Sequence, residues 1–286
     1  GAISGKSEVG GLIGLIEDSS NVNTTISNCS NNGAFTLEGS YVGGLVGAIV
    51  DGTNVVSLSD CVNNANINGT FYFGGIVGGV YMADSLVMTM TNLINHGNLV
   101  GTSYAGGFTG IISSNTNITI TLFNSSNSGN ITVGYGYAGG YVGRFFKNTN
   151  MVMTISDSIN NGVVTGTLYN VGGLVGSIES NTNMTITIFN SINNGNVSGN
   201  SDNRGGFVGY IKENTNMTIT ITSFTNNGNV TGYGYVGGFI GCIEMSTSTA
   251  IVISSSINNG NSTGSGANIG GLVGGILSSK SMTTTF

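Results

Sequence analysis

Apolar residues along this chain alternate with polar ones in short bursts and never at helical spacing. In Met184-Thr-Ile-Thr-Ile188 every second residue is apolar, the pattern of a strand with one face turned inward. Leu174-Val-Gly-Ser-Ile178 precedes it and the shorter Asn196-Val-Ser198 follows it. Gly- and Asn-rich pieces separate the three, and no stretch rich in Ala, Leu, Glu and Lys offers a helix. The unit then returns along the whole chain. A Gly-Gly pair marks it nine times, starting at Gly10, Gly43, Gly74, Gly106, Gly139, Gly172, Gly205, Gly237 and Gly270, at spacings of 31 to 33 residues. A fixed period of that length means a stacked array, because one such unit buries its apolar face only against its neighbours. The expected fold is all-β: a parallel β-solenoid (β-helix) of about nine coils of about 33 residues, three strands per coil, in one domain over residues 1–286.

Further columns support stacking. A glycine recurs after each pair, as at Gly47, Gly143 and Gly176, and an apolar residue two positions later, as at Ile49, Phe145 and Ile178. Both are expected to point inward. The corner asparagines Asn31, Asn63, Asn95, Asn127, Asn160, Asn193, Asn226 and Asn258 form another column. Asparagine tolerates left-handed backbone in a turn, and stacked copies bond one another as a ladder.

Composition narrows the function classes. Charged residues are 6% of the chain, against about 25% in average proteins. Six Lys plus Arg face twelve Asp plus Glu, for a net charge of −6. Nucleic-acid binding needs clustered cations and is not expected. No 18-residue apolar run exists, so no transmembrane helix is expected.

The recurring GGLVG-x-I of Gly43 to Ile49 and Gly172 to Ile178, with NNG-x-V-x-G before it, resembles the GLUG-type repeats of large surface and secreted proteins. The resemblance covers nearly the whole chain. It implies an extracellular or cell-surface solenoid of adhesin type and carries no catalytic residue to any position here.

Candidate chemistry is sparse. His96 is the one histidine and sits in a turn, so neither a His-based triad nor a metal cluster is expected, and no cofactor. Glu17, Glu179 and Glu244 share one slot, with Asp51 and Glu213 one step later; Lys147 and Lys212 interrupt the column. A solvated corner is the ordinary home of such charges, and no enzyme is expected. Tyr41, Tyr72, Tyr104, Tyr137 and Tyr235 stand two residues before their Gly-Gly pairs, either as a stacked column closing a corner or as a surface for sugars. Cys29 and Cys61 occupy one slot on neighbouring coils, about 4.8 Å apart, and a disulfide is expected if the protein is extracellular. Cys242 reads as an inert, partly buried thiol. Asn-x-Ser/Thr acceptors for N-glycosylation occur at Asn23, Asn28, Asn68, Asn117, Asn124, Asn130, Asn183, Asn196, Asn216, Asn229 and Asn261.

The expected function is an extracellular structural or adhesive module, glycosylated and part of a filament or stalk. The alternative is ice binding by an outward ladder of Thr89, Thr121, Thr154, Thr187 and Thr220. Gly1-Ala-Ile-Ser-Gly5 aligns with Gly195 to Gly199, and Ser281 to Phe286 with Asn183 to Ile188. Both ends thus read as open coils, continued by more chain or by head-to-tail stacking of copies.

Overall fold

A computed structural model describes residues 1–17, 23–37, 39–52, 55–200, 203–266 and 268–286. Every strand pairing in them is parallel, and strands inside a sheet bond to the strands one turn before and one turn after. Three sheets have nine strands each, so the chain is a parallel β-solenoid of nine layers, or about eight full turns. No helix among the described residues is long and apolar enough to cross a membrane.

The coil starting at Val171 shows the plan. A Gly-Gly strand (Val171–Gly172) leads to an inner strand (Val175–Glu179) and then a Thr strand (Thr182–Phe189). A two-residue corner strand (Ile192–Asn193) and a short strand (Val197–Ser198) complete the turn. The coil has five strands, where alternation predicts three. The Gly-Gly and corner stretches are too short to show any period, yet both pair in register from layer to layer.

The glycine pairs exist for space. No glycine of a pair has a left-handed φ. A Cβ on Gly172 would lie 2.7 Å from the Phe207 carbonyl oxygen of the next layer. One on Gly173 would lie 2.6 Å from the amide carbon of Asn193 across the coil. The second glycine therefore lets the Asn amide close the coil at a waist. The waist separates two cores. The larger holds columns such as Ile49, Val80, Ile112, Phe145 and Ile178 against Met88, Ile120, Met153, Ile186 and Ile219. The smaller holds Val42, Phe73, Ala105, Ala138 and Val171 against Ile67, Leu99, Ile131, Val164 and Val197.

The waist asparagines are not left-handed. Asn127, Asn160, Asn193 and Asn226 are fully buried, each donating one amide hydrogen to the next layer's Oδ1 at 2.8 Å and the other to a carbonyl two residues on. Left-handed backbone lies instead in single residues at three other corners, such as Ser180, Asn183 and Asn190 with φ of 56°, 53° and 48°. Asn, Asp and Ser dominate those positions because their short polar side chains hydrogen-bond locally and offset part of the cost of left-handed backbone.

Candidate functional site

Tyrosines form one continuous feature on the surface. Tyr41, Tyr72 and Tyr104 pair in register along the Gly-Gly strands, and Tyr137 continues the column at the same offset. The ring stack runs Tyr81, Tyr41, Tyr72, Tyr104, Tyr137, Tyr169, with successive centroids 4.4, 4.7, 5.0, 5.3 and 5.6 Å apart. Each ring leans over the outward face of the inner strands. A Cβ on Gly79 would meet Tyr41 Cδ1 at 2.6 Å, and one on Gly275 would meet Tyr235 Cδ1 at 2.5 Å. Burial, then the neighbouring Tyr72, Tyr81 and Glu8, raises the Tyr41 hydroxyl well above its ordinary value. Burial and the Glu8 carboxylate push Tyr81 up to about 12.

Arg144 locks the middle of the stack. Its guanidinium lies 4.0 Å from the Phe146 centroid and 4.7 Å from that of Tyr137, and pairs with Glu179 Oε2. Glu179 is only 7% exposed, which corrects its reading as a solvated corner. Its slot faces the aromatic stack, and arginine makes that burial tolerable. Glu179 Oε1 has no hydrogen-bond partner among the described residues.

The stack breaks where the tyrosine column changes to asparagine. Asn170 and Asn203 take the tyrosine positions, and Asn203 Nδ2 donates to Asn170 Oδ1 at 2.9 Å. The Tyr169 ring fills the Asn170 layer by stacking on Tyr137. Among the described residues no ring stacks on Tyr169 in the Asn203 layer, where Tyr210 rises from the inner strand, and the column resumes at Tyr235. A cavity of about 400 Å³ occupies the missing rung. Its walls are Tyr169 and Tyr235, and Tyr210 and Cys242 reach it from the inner strands. Glu179, Lys212 and Glu244 line its edge, in register on three successive layers. The Tyr210 hydroxyl donates to Glu244 Oε2, and burial and this bond hold it protonated far above its ordinary value. Burial and Glu244 push the Cys242 thiol up to about 12, which leaves it unreactive.

The other residues singled out from the sequence fall elsewhere, and most are spread over separate corners. All eleven glycosylation acceptors, from Asn23 to Asn261, are exposed. Asn124, Asn183 and Asn216 spend an amide hydrogen on ladder bonds to Asn92, Asn150 and Asn183. Asn130, Asn196 and Asn229 instead accept backbone hydrogens through Oδ1 and leave Nδ2 without a protein partner among the described residues. His96 is an exposed turn residue.

Cys29 and Cys61 stack as expected, but both thiols are free. Their slot points inward and holds Ser125, Ser158 and Ser191 in other layers. Ser125 Oγ donates to the carbonyl of Phe123 and accepts the N–H of Leu93. Cys61 Sγ does the same, donating to the Ser59 carbonyl at 3.0 Å and accepting the N–H of Cys29 at 3.3 Å. In-register parallel neighbours also keep Cβ atoms roughly 4.8 Å apart, beyond the roughly 3.5–4.5 Å a disulfide needs. The Cα window alone is too permissive a criterion here.

The Thr ladder is in register from Thr89 through Thr121, Thr154 and Thr187 to Thr220. Val87 and Val152 stand beside it, 42% exposed, and Phe123 and Phe189 rise from the same face to the same exposure. Sequence reasoning did not find Arg204, which is fully buried in the apolar column between Val171 and Val236, its guanidinium donating to the carbonyls of Asn203 and Gly166. The one available signal was a cation directly before a Gly-Gly pair. It also missed a second buried Asn ladder, Asn115, Asn148, Asn181 and Asn214, whose spacing of 33 residues was visible.

Comparison with protein-family models, with curated proteins and with solved structures found no match.

Proposed function

We propose that this protein is an extracellular structural and adhesive module of GLUG-repeat type, a rigid rod segment that presents a repetitive face. The observation that carries the reading is the continuity of the ladders. Backbone and buried Asn amides run from layer to layer along the rod, and tyrosines stack from Tyr41 to Tyr169, so load is spread along the rod and contact along that face. The exposed acceptors Asn130, Asn196 and Asn229 are the best placed to carry sugar, and further chain or another copy stacked on the end layers extends the rod into a stalk or filament.

The reading is tested with beads carrying the full chain in a flow cell, over glycoprotein-coated and bare glass. Retention on the coated surface alone is expected. Equal detachment from both overturns the adhesive role. Ice binding is a second reading, favoured by the five-layer Thr register. The valines and the two phenylalanines roughen that face, so no thermal hysteresis is expected; a measurable freezing-point gap replaces adhesion with ice binding.

A further inference from the structure

We propose that the missing rung of the tyrosine stack is a binding slot for one neutral pyranose ring of a glycan. The proposal deepens the adhesive reading by naming the ligand and its place.

Three features of the cavity point to this chemistry. The first is shape. Stacked rungs repeat at about 5 Å, so the rings bordering one empty rung stand about 10 Å apart. Tyr169 lies within 19° of parallel to Tyr137, and Tyr235 lines the other side of the gap, with Tyr210 entering from the inner strand. A pyranose is a flattened ring with C–H bonds on its faces, which pack on aromatic faces, and hydroxyls around its rim.

The second feature is the rim. Sugar hydroxyls both donate and accept, and the slot edge offers both kinds of partner. Glu179 and Glu244 accept; the Lys212 ammonium donates; the amides of Asn170 and Asn203 do either. Glu179 stands at the cavity edge on a side chain 10% exposed, with its Oε1 buried and without a protein partner among the described residues. The third feature is charge. Glu179 is matched by Arg144, and Lys212 lies 3.5 Å from Glu213, so Glu244 is the one charge at the rim without an ion-pair partner among the described residues. A slightly acidic rim disfavours uronic acids and sulfated sugars and leaves neutral hexoses.

Saturation-transfer NMR on the full chain tests this, with the methyl glycosides of glucose, galactose, mannose and N-acetylglucosamine as probes. Transfer to the ring C–H protons of at least one is expected, with a Kd near the millimolar range usual for a single sugar. Asn203→Tyr restores the rung and is expected to reduce transfer at least tenfold, while Tyr72→Ala, in the intact stack, leaves it unchanged. Should Asn203→Tyr not fold, Tyr235→Ala removes one wall without adding bulk and is expected to give the same loss. No transfer to any of the four, or transfer undiminished in the slot variant, overturns the proposal. Beads that adhere equally well with and without the slot variant sink the slot and leave the adhesive role standing. Sugar bound in solution by a chain whose beads never adhere does the reverse.

Discussion

Asn160 shows how one residue type holds a coil closed. It accepts a hydrogen from Asn127, donates to Asn193 and donates to the carbonyl of Gly162, all inside the protein. Asn160→Ala strands the Asn193 oxygen and the Gly162 carbonyl without their donor, and one hydrogen of Asn127 without its acceptor. At about 1–3 kcal/mol for an unsatisfied buried group, with neighbours relaxing part of the way, a loss of about 3 kcal/mol is expected in urea denaturation. Asn161→Ala next door removes an exposed ladder bond to Asn194 and is expected to cost under about 0.5 kcal/mol. Equal losses would show that the waist contributes nothing special. Both columns of the waist were legible in the sequence, the Gly-Gly pairs and the corner asparagines alike. That the second glycine touches the asparagine was not, because the two lie about 20 residues apart in one coil and nothing local records the contact. Glu179 was misread for a related reason: its partners, Arg144 and the tyrosines, sit on the preceding layer, where only the stacked register reveals them.

At the scale of the strand, the sequence pattern identified the inner strands, the long Thr strands and the short Asn196-Val-Ser198, and overlooked the Gly-Gly and corner pieces. Those short pieces carry the tyrosine stack, because their outward positions fall beside the inner strands. A chain of buried phenols makes a pH prediction with a definite sign. The folded-state values of Tyr41, Tyr72, Tyr81 and Tyr137 are raised, first by burial in every case. Below about pH 10 the tyrosines are neutral in folded and unfolded chains alike, and the stack's stability is fully present. Above about pH 10 the unfolded chain loses protons that the folded chain keeps, so stability falls as pH rises toward about 12, where Tyr81 itself titrates. A flat melting temperature from about pH 6 to 9, falling steeply above about pH 10, is therefore expected. Phenolate absorbance of Tyr41, Tyr72, Tyr81 and Tyr137 should rise together with unfolding. A melting temperature that stays level to about pH 12 would mean that the stack is open to solvent.

On the scale of the whole molecule, a solenoid is a one-dimensional stack in which each layer touches only its neighbours, so layers are interchangeable when their columns match. This yields a test of register itself. Gly106 pairs with Gly139, so removing residues 107–139 and joining Gly106 to Gly140 deletes one whole turn. Every column then closes on the residue it would have met one layer later. Met153 falls where Ile120 was, Asn160 meets Asn95, and Arg144 keeps both Glu179 and Tyr104. The shortened chain is expected to remain soluble, with an unchanged strand spectrum in far-ultraviolet circular dichroism and a melting temperature lower by only a few degrees. Removing residues 107–140 instead takes one residue more and joins Gly106 to Tyr141. That loss falls inside the Gly-Gly pair, not in the corners that let coils range from 31 to 33 residues, so the strand that follows must slip by one residue and turn its side chains to the opposite face. It also deletes the second glycine of the pair, leaving Tyr141 where the Asn160 amide needs room. Loss of the strand spectrum or insolubility is expected for this chain alone. If both deletions fold equally well, the layers are not held by their columns; if neither folds, some contact reaches beyond nearest neighbours.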